Sequence, residues 1–349
     1  MNDLLKLLLA GLERGESLAQ ATILTHEGST PRSAGSRMLL AGAGAGVRIL
    51  PRILPRVLAG TVGGGLVEAR VMERAGEVLA DGMRRMETFD LTGELAAGAD
   101  MICGGRLRVF LERLTPEDLP LFRELALALA GGGRRLRLTP LSGSAGEPSR
   151  LLDPAAPESG DALVRAALAA GRGIGAPTVL EHEGQAYALE PFAAASPLYI
   201  FGAGHVSRPT AQVAALCGFQ VTVLDDRAEF ANVERFTTAR PVVLAGFGDC
   251  FAGLDCEERA CVVIVTRGHV HDADVLAQAL RTRAGYIGMI GSRRKRDAVY
   301  DRLRGQGFAD ADLARVRCPV GLDIGAETPE EIAVSIVAQL IAHRAGMAL

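Results

Sequence analysis

From Leu198 onward, short apolar runs alternate with helix-like segments, and this alternation constrains the fold more than any other feature. The runs have the length and the turn-residue borders of buried strands; they are "LYIFG", "QVTVLDD", "PVVLAG", "CVVIVT" and "YIGMIG". Between them lie segments with helical character, such as "SRPTAQVAALCG", "DADVLAQALRTRAG" and "SRRKRDAVYDRLRGQG". Strands that alternate with helices predict a Rossmann-like, doubly wound parallel sheet with right-handed crossovers.

The chain end and the domain boundary can also be read from the sequence. In "TPEEIAVSIVAQLIAHRAG", Thr328 and Glu331 predict a capping box, with Pro329 at the first helical position. The composition changes at Ala193–Pro197, which we interpret as a short linker. We therefore expect an N-terminal domain at residues 1–192 and a C-terminal domain at 198–349.

The first half predicts an α+β domain with a mostly antiparallel or mixed sheet. Here predicted strands follow one another directly, as in "LAQATILT" and the run from Arg37 to Leu40, and a helix is expected from about Leu66 to Asp81. The segment 42–59 carries alternate glycines and then two "ILPR" units, which is typical of a flexible insertion of unreadable function.

Composition excludes several classes of function. The formal charge is -3, from 38 basic and 41 acidic residues, which argues against a general nucleic-acid binder. We expect no signal peptide, because the first apolar run has the pattern of an amphipathic helix. We expect no membrane span, because no stretch approaches the roughly 18 apolar residues that one needs. The six cysteines form no CxxC pair, so a reducing cytoplasm is the expected location.

The stretch "GAGHVS" after the first C-terminal strand predicts a phosphate-binding loop. Gly202 allows a tight turn, Gly204 allows close approach of the backbone, and His205 completes the loop. Asp225 ends the second strand, where an acid would bind a ribose hydroxyl. Ser207 stands where the fingerprint has its third glycine, and we expect looser packing of helix against strand there. The alternative is a Rossmann-like fold that has lost its dinucleotide.

Two further segments place polar residues at the carboxyl edge of the sheet. The loop "TRGHVHDAD" supplies donors and acceptors that suit a polar ligand, a metal or, for Asp272, a helix cap; they are Arg267, His269, His271 and Asp272. In "GMIGSRRKR", Ser292 begins a helix whose first turn holds four cations, starting with Arg293. Cations are unfavourable there, so either an anion compensates them or they form a solvated face.

Three N-terminal motifs suggest a second anion site. Hydroxyl and guanidinium donors come from Ser29, Thr30 and Arg32, in "HEGSTPRSAGSR". In "GTVGGGLVEARV", the glycines Gly63, Gly64 and Gly65 lead into a helix, so free amides would point at a ligand, and Glu68 would serve the helix dipole. Cys103 in "MICGG" is either a reactive thiol with a lowered pKa or a small core residue.

Taken together, these motifs resemble the XdhC/CoxI proteins, the xanthine dehydrogenase accessory family. The resemblance rests in the N-terminal half on "EGSTPRSAGSRMLL", "GTVGGGLVEARV" and "MICGGRLRVFLE". In the C-terminal half it rests on "YIFGAGHVSRP", "VTVLDDRAEFAN", "VIVTRGHVHDADVL", "YIGMIGSRRKR" and "PVGLDIGAETPEEIAVSI". The segment 42–59 departs from the family by being longer.

The resemblance implies a non-catalytic maturation factor that binds and protects the molybdenum cofactor (molybdopterin). It implies help with sulfuration of the cofactor and its insertion into a molybdenum hydroxylase client, with a cysteine desulfurase as partner and a homodimer as the working form. The implied cradle consists of Ser29, Thr30, Arg32, Gly63, Gly64 and Gly65, with Cys103 as a thiol or molybdenum ligand.

One alternative interpretation is a nucleotide-handling enzyme that modifies the phosphate of the pterin, with another nucleotide as its ligand. The other alternative is an NAD(P)-dependent oxidoreductase that uses the Rossmann-like domain. It is ranked second because no Tyr-x-x-x-Lys pair accompanies the glycine loop.

Overall fold

The computed structural model describes residues 3–42, 54–91, 104–142, 148–156 and 160–347. Cys103 and residues 43–53 of the expected insertion lie outside these ranges. The chain divides into two compact units, Met1–Ala194 and Ala195–Leu349. Within the described ranges, no helix combines the length and the apolar character needed to cross a membrane.

The first unit is built from antiparallel strands and helices. Its strands are β1 (Leu18–Glu27), β2 (Arg37–Ala41), β3 (Arg56–Gly60), β4 (Arg85–Asp90), β5 (Arg106–Leu114), β6 (Arg134–Pro140), β7 (Arg150–Leu152), β8 (Thr178–His182) and β9 (Gln185–Ala193). Its helices are α1 (Asp3–Glu13), α2 (Gly65–Asp81), α3 (Leu119–Ala130) and α4 (Ala162–Ala170). One sheet has the order β3-β2-β1-β5-β4 and another has the order β7-β6-β9-β8. The predicted α+β class is confirmed.

Helices pack on both faces of the five-stranded sheet, and β1 is buried on both sides, with the polar Gln20 and Thr22 on the same face as Leu18. Alternate residues of a strand point to opposite faces. Leu18 packs with the leucines of α1, whereas Ala19 packs with the valines of α2, such as Val67 and Val71. Seven successive residues of β1 are therefore buried.

A buried ionic cluster joins the two sheets of this unit. Arg137 on β6 donates to both carboxylate oxygens of Glu112 on β5, at 2.6 and 2.7 Å, and to Glu190 on β9 at 3.3 Å. Arg37 on β2 donates to the other oxygen of Glu190 at 3.0 Å. Burial lowers the pKa of Arg137, but the two glutamates outweigh it and raise that pKa overall.

The second unit is a parallel sheet between two layers of helices. Its strands are β10 (Pro197–Phe201), β11 (Gln220–Asp225), β12 (Arg240–Val243), β13 (Cys261–Ile264), β14 (Tyr286–Met289) and β15 (Val316–Arg317). Its helices are α5 (Ser207–Leu216), α6 (His269–Ala279), α7 (Arg293–Gly305), α8 (Asp310–Leu313) and α9 (Pro329–Arg344). The predicted capping box of α9 is present.

The strand order places a crevice beside β10. The order is β12-β11-β10-β13-β14-β15, which is the 3-2-1-4-5-6 arrangement of dinucleotide-binding folds. The order reverses between β10 and β13, so the crevice opens outside the carboxyl ends of these strands. The predicted Rossmann-like sheet is confirmed.

Two local expectations are wrong. Residues 56–60, placed within a flexible insertion, form β3 and pair antiparallel with β2. Their backbone groups complete a sheet edge, which the "ILPR" pattern did not reveal. The helix expected from Asp272 begins at His269, because Gly268 takes the N-cap position with φ 82°. His269 and His271 are therefore helical rather than part of a loop.

Candidate functional site

Three loops meet at the glycines of the first unit. A Cβ added to Gly105 would collide with the carbonyl oxygen of Glu27 and would lie 2.7 Å from the carbonyl oxygen of Ser29. A Cβ added to Gly63 would lie 2.7 Å from the ring of Pro31. The loop after β1, the loop before α2 and the start of β5 are therefore in direct contact. Only glycine fits at positions 63 and 105, since such close approaches exclude any side chain.

The glycine loop before α2 is held by its own polar groups. Gly63, Gly64 and Gly65 all have positive φ, a conformation that other residues rarely adopt. The Gly64 amide donates to Glu68 at 3.2 Å, and the Gly63 amide donates to the Thr61 hydroxyl at 3.1 Å. The expectation that both amides point freely at a ligand is therefore wrong, because Thr61 and Glu68 accept their hydrogens.

The donors that remain beside this loop are side chains. Ser29 and Arg32 are exposed, and the Cγ of Arg32 would lie 3.8 Å from a Cβ at Gly63. Thr30 donates its hydroxyl to the Arg32 carbonyl at 3.0 Å, which shapes the loop. The sequence predicted these three residues as one cradle with the glycine loop; in the structure Arg32 lies beside Gly63, whereas Ser29 and Thr30 lie beside Gly105.

In the second unit, the loop after β10 lies at the switch point. Gly202 has φ 105°, and a Cβ there would collide with the Val265 carbonyl oxygen, so this loop touches the end of β13. A Cβ at Gly204 would meet nothing within 4 Å, and His205 is exposed. Open backbone at a helix start suits an anionic ligand.

Ser207 does not loosen the packing as the sequence suggested. Its side chain is 1% exposed, and its hydroxyl donates to the Gly202 carbonyl at 2.5 Å. This hydrogen bond connects α5 to the glycine loop. A glycine at position 207 would allow the helix and the loop to approach each other but would form no such bond.

Asp225 supports the same loop from the end of β11. It is 1% exposed; it accepts the Ala203 amide at 2.8 Å and a bidentate pair of bonds from Arg227, each 2.9 Å. Burial alone would raise the pKa of Asp225, but these bonds hold it at about 2. The sequence predicted Asp225 as a ribose ligand. In the structure, the carboxylate of Asp225 accepts hydrogen bonds from the protein itself.

The predicted residues after β13 and β14 are partly brought together. Arg267 pairs with Asp226 at 2.8 Å. Asp272 is fully buried, accepts the Thr266 hydroxyl at 2.6 Å and forms an ion pair with Lys295. Asp272 is therefore not a helix cap, and it compensates one of the four cations at the start of α7.

The remaining predicted residues lie along the same edge. The ring of His271 is 4.9 Å from that of Phe247. Ser292 caps α7 by accepting the Lys295 amide at 3.3 Å, and Arg293 is exposed. Sequence reasoning missed Asp226, Thr266 and Arg227. The paired acids in "VLDDR" were the available signal.

Within the described residues, the cysteine thiols and the potential metal ligands do not form a further candidate site. Burial raises the pKa of Cys250 and Cys261 to about 12, and that of Cys256 and Cys318 to about 11. Cys261 is a core residue, as its apolar run predicted. No group of three His, Cys, Asp or Glu side chains in the described part of the chain is arranged to hold a metal ion.

These features define the class of protein by its two units. The second unit is a Rossmann-type domain with a glycine loop at its switch point, and the first unit is an α+β domain with a separate cluster of glycine-lined loops.

Comparison with protein families identifies the chain further. A family model described as the XdhC Rossmann domain matches residues 198–340, and one described as the XdhC and CoxI family matches residues 11–90. The two models together match more than half of the chain. The chain therefore belongs to the XdhC/CoxI family, the xanthine dehydrogenase accessory family, and the predicted resemblance is confirmed.

The chain is also similar to individual relatives and to a solved structure. A protein of Bacillus subtilis described as a probable xanthine dehydrogenase subunit is 27% identical over 356 aligned residues, which cover 100% of both chains. The uncharacterised protein YqeB of Escherichia coli K12 is 38% identical over 145 residues, which span 41% of this chain but only 26% of YqeB. A crystal structure described as a xanthine dehydrogenase from Bacillus halodurans superposes with a TM-score of 0.77 at 25% identity, covering 99% of this chain and 96% of that one.

Proposed function

We propose that this protein binds the molybdenum cofactor, protects it, and helps its sulfuration and its insertion into a molybdenum hydroxylase such as xanthine dehydrogenase. It acts as a maturation factor rather than as an enzyme with turnover of its own. The observation that carries the proposal is the meeting of three glycine-constrained loops beside exposed hydroxyl and guanidinium donors in the first unit.

The donor set fits the anionic part of this cargo. The cofactor is a pterin with a phosphate and a molybdenum dithiolene. A guanidinium and a hydroxyl suit phosphate oxygens, and Arg32 and Ser29 supply them at the loop surface. Gly63 and Gly105 let the backbones approach closely where any side chain would collide. A soft ligand for molybdenum would come from Cys103, which precedes Gly104 in the sequence.

The Rossmann domain would hold a second ligand, either a nucleotide such as NAD(P) or the phosphate end of the cofactor itself. Gly204 and the start of α5 offer the anion site, while Arg267, His271 and Ser292 line the same sheet edge. The oxidoreductase alternative uses this domain alone. It predicts turnover of a nicotinamide cofactor, which the maturation factor lacks.

The proposed function implies two partner proteins, a molybdenum hydroxylase client and a cysteine desulfurase.

We also propose a homodimer in which α9 packs against α9 of a second copy. Val334 and Ile341, seven residues apart on this helix, are 50% and 38% exposed. Antiparallel pairing would bring Glu330 of one copy to Arg344 of the other. Val334→Glu should then yield a monomer in light scattering; an unchanged mass would reject this interface.

The experiment that tests cofactor binding uses protein purified anaerobically from cells that make the cofactor. Oxidised pterin fluorescence and molybdenum content are measured for the wild type, Arg32→Ala and Arg70→Ala. Arg70 is an exposed arginine on α2 and serves as the matched control. Losing a charge-assisted bond should weaken retention by about tenfold or more for Arg32→Ala only. Equal retention by both variants would contradict the proposed cradle.

A further inference from the structure

Glu68, in the first turn of α2, is held against the glycine loop by one oxygen of its carboxylate. Oε2 accepts a hydrogen bond from the Thr61 hydroxyl at 2.6 Å and another from the Gly64 amide at 3.2 Å. The Thr61 hydroxyl in turn accepts the Gly63 amide at 3.1 Å. These contacts satisfy Oε2 and fix the carboxylate in place, so its position does not depend on a ligand.

The second oxygen of this carboxylate, Oε1, is open to a donor from outside the protein. Within the described residues it accepts no hydrogen bond. Glu68 is only partly buried, and Oε1 is not one of the solvent-inaccessible polar atoms that lack a partner there. A Cβ added to Gly64 would meet nothing within 4 Å, so the space beside the loop is open as well. An ionised carboxylate can only accept hydrogen bonds, so this position takes a donor.

Arg32 stands beside the same loop and narrows the kind of donor that fits. Its Cγ would lie 3.8 Å from a Cβ added to Gly63, the residue before Gly64. Arg32 is exposed, and neither it nor Glu68 has an ion-pair partner in the part of the chain that the structure describes. The guanidinium repels a second cation and attracts an anion. The loop therefore favours a ligand that has a neutral N–H or O–H donor for Oε1 and also carries a negative charge.

The pterin of the proposed cargo offers such a donor. Its ring carries an amino group on C2, which is neutral and has two N–H bonds, and its side chain ends in a phosphate. We propose that Oε1 of Glu68 accepts a hydrogen bond from this 2-amino group and so determines the specificity of the cradle for a pterin. The inference rests on the proposed cofactor binding, and it names the residue that recognises the ring rather than the phosphate.

The test compares two phosphorylated probes, 6-hydroxymethylpterin phosphate and 6-hydroxymethyllumazine phosphate, on the full-length protein. They share the bicyclic ring, the side chain and the phosphate, and they differ at C2, where the lumazine has an oxygen in place of the amino group. Binding is followed by the fluorescence of the probes, which the tryptophan-free chain does not obscure. A hydrogen bond to a charged group predicts that the wild type binds the pterin about tenfold or more tightly than the lumazine. Equal affinities, or no binding of the pterin probe, would overturn the inference, and neither result depends on a variant folding.

Glu68→Gln then separates recognition from a structural role. The amide oxygen of glutamine can still accept the bonds from Thr61 and Gly64, while its NH₂ group replaces the open acceptor by a donor. The ratio of the lumazine to the pterin dissociation constant should therefore fall from about ten or more to near one or below. If Glu68 only held the loop, the substitution would change both affinities alike and leave the ratio at its wild-type value, which would reject the proposal. Glu73→Gln, at an exposed glutamate of the same helix, is the matched control and should keep the wild-type ratio.

Molybdenum retention of the wild type, measured as described above, distinguishes this inference from the proposed function. A protein that retains molybdenum but binds the two probes equally would contradict only the role of Glu68. A protein that retains no molybdenum would contradict the proposed function itself.

Discussion

Arg137→Met should destabilise the first unit more than any exposed ion-pair change. Arg137 is 1% exposed, and its partners Glu112 and Glu190 are 2% and 0% exposed. The substitution keeps much of the volume but leaves the Glu112 carboxylate without the cation that neutralises it. Burial already raises the pKa of Glu112, against the opposing effect of Arg137.

The expected cost follows from this geometry. Breaking a buried pair by removing one partner costs about 3–5 kcal/mol, because an uncompensated charge stays in the interior. Replacing both partners, as in Arg137→Met with Glu112→Met, should restore the free energy of unfolding to within about 2 kcal/mol of the wild type. Glu190 keeps Arg37 as its partner in both variants.

The assay is urea unfolding followed by far-UV circular dichroism, since the chain has no tryptophan to report by fluorescence. Hydrogen exchange of peptides from β5 and β6 assigns the transition to the first unit. Arg123→Met is the control, because its pair with Glu13 is exposed and should contribute less than about 1 kcal/mol. Equal losses for Arg137→Met and Arg123→Met would refute the reasoning.

Three further predictions concern the two candidate sites. Asp225→Asn should lower the free energy of unfolding by about 2 kcal/mol at pH 7. The folded pKa of Asp225 lies near 2, below the unfolded value of 3.8, so the difference from the wild type should shrink by about 1 kcal/mol at pH 3. A pH-independent difference in urea unfolding would contradict the assigned hydrogen bonds. Gly105→Ala should lower the free energy of unfolding by about 1–3 kcal/mol and should lose cofactor retention in the molybdenum assay. Gly104→Ala, where a Cβ meets nothing within 4 Å, should keep the stability and the retention of the wild type. Similar behaviour of the two variants would reject the loop packing. Cys103→Ala should abolish transfer of active cofactor to a hydroxylase without changing the circular dichroism spectrum, and normal transfer would remove this thiol from the mechanism.

The sequence predicted the fold of the second unit well because its signals are local. Apolar strands between turn residues, the glycine loop after β10 and the capping box at Thr328 each depend on neighbouring residues only. The parallel, doubly wound sheet followed from alternation and from general rules of handedness, whereas the strand order that locates the crevice comes from the structure.

The errors arose where distant residues decide the outcome. β3 is stabilised by pairing with β2, a contact that neither its own short sequence, "RVLAG", nor the "ILPR" units before it indicate. The role of Ser207 depends on the Gly202 carbonyl, and the hydrogen bonds of Asp225 depend on Ala203 and Arg227.

The ionic cluster between the two sheets was missed for the same reason. Glu112 stands inside the apolar run "VFLERL", and a charged residue at an inward position of a buried strand is a sign of a buried partner. The partner itself, Arg137, lies on a different sheet, so only the folded structure identifies it.

Cofactor binding is tested most directly by offering the isolated molybdenum cofactor to the purified protein without oxygen. The mixture is passed through a desalting column, and molybdenum is measured in the protein fraction. We expect molybdenum to co-elute with the wild type in a fixed ratio and to be reduced for Arg32→Ala. A wild-type fraction free of molybdenum would contradict the central claim.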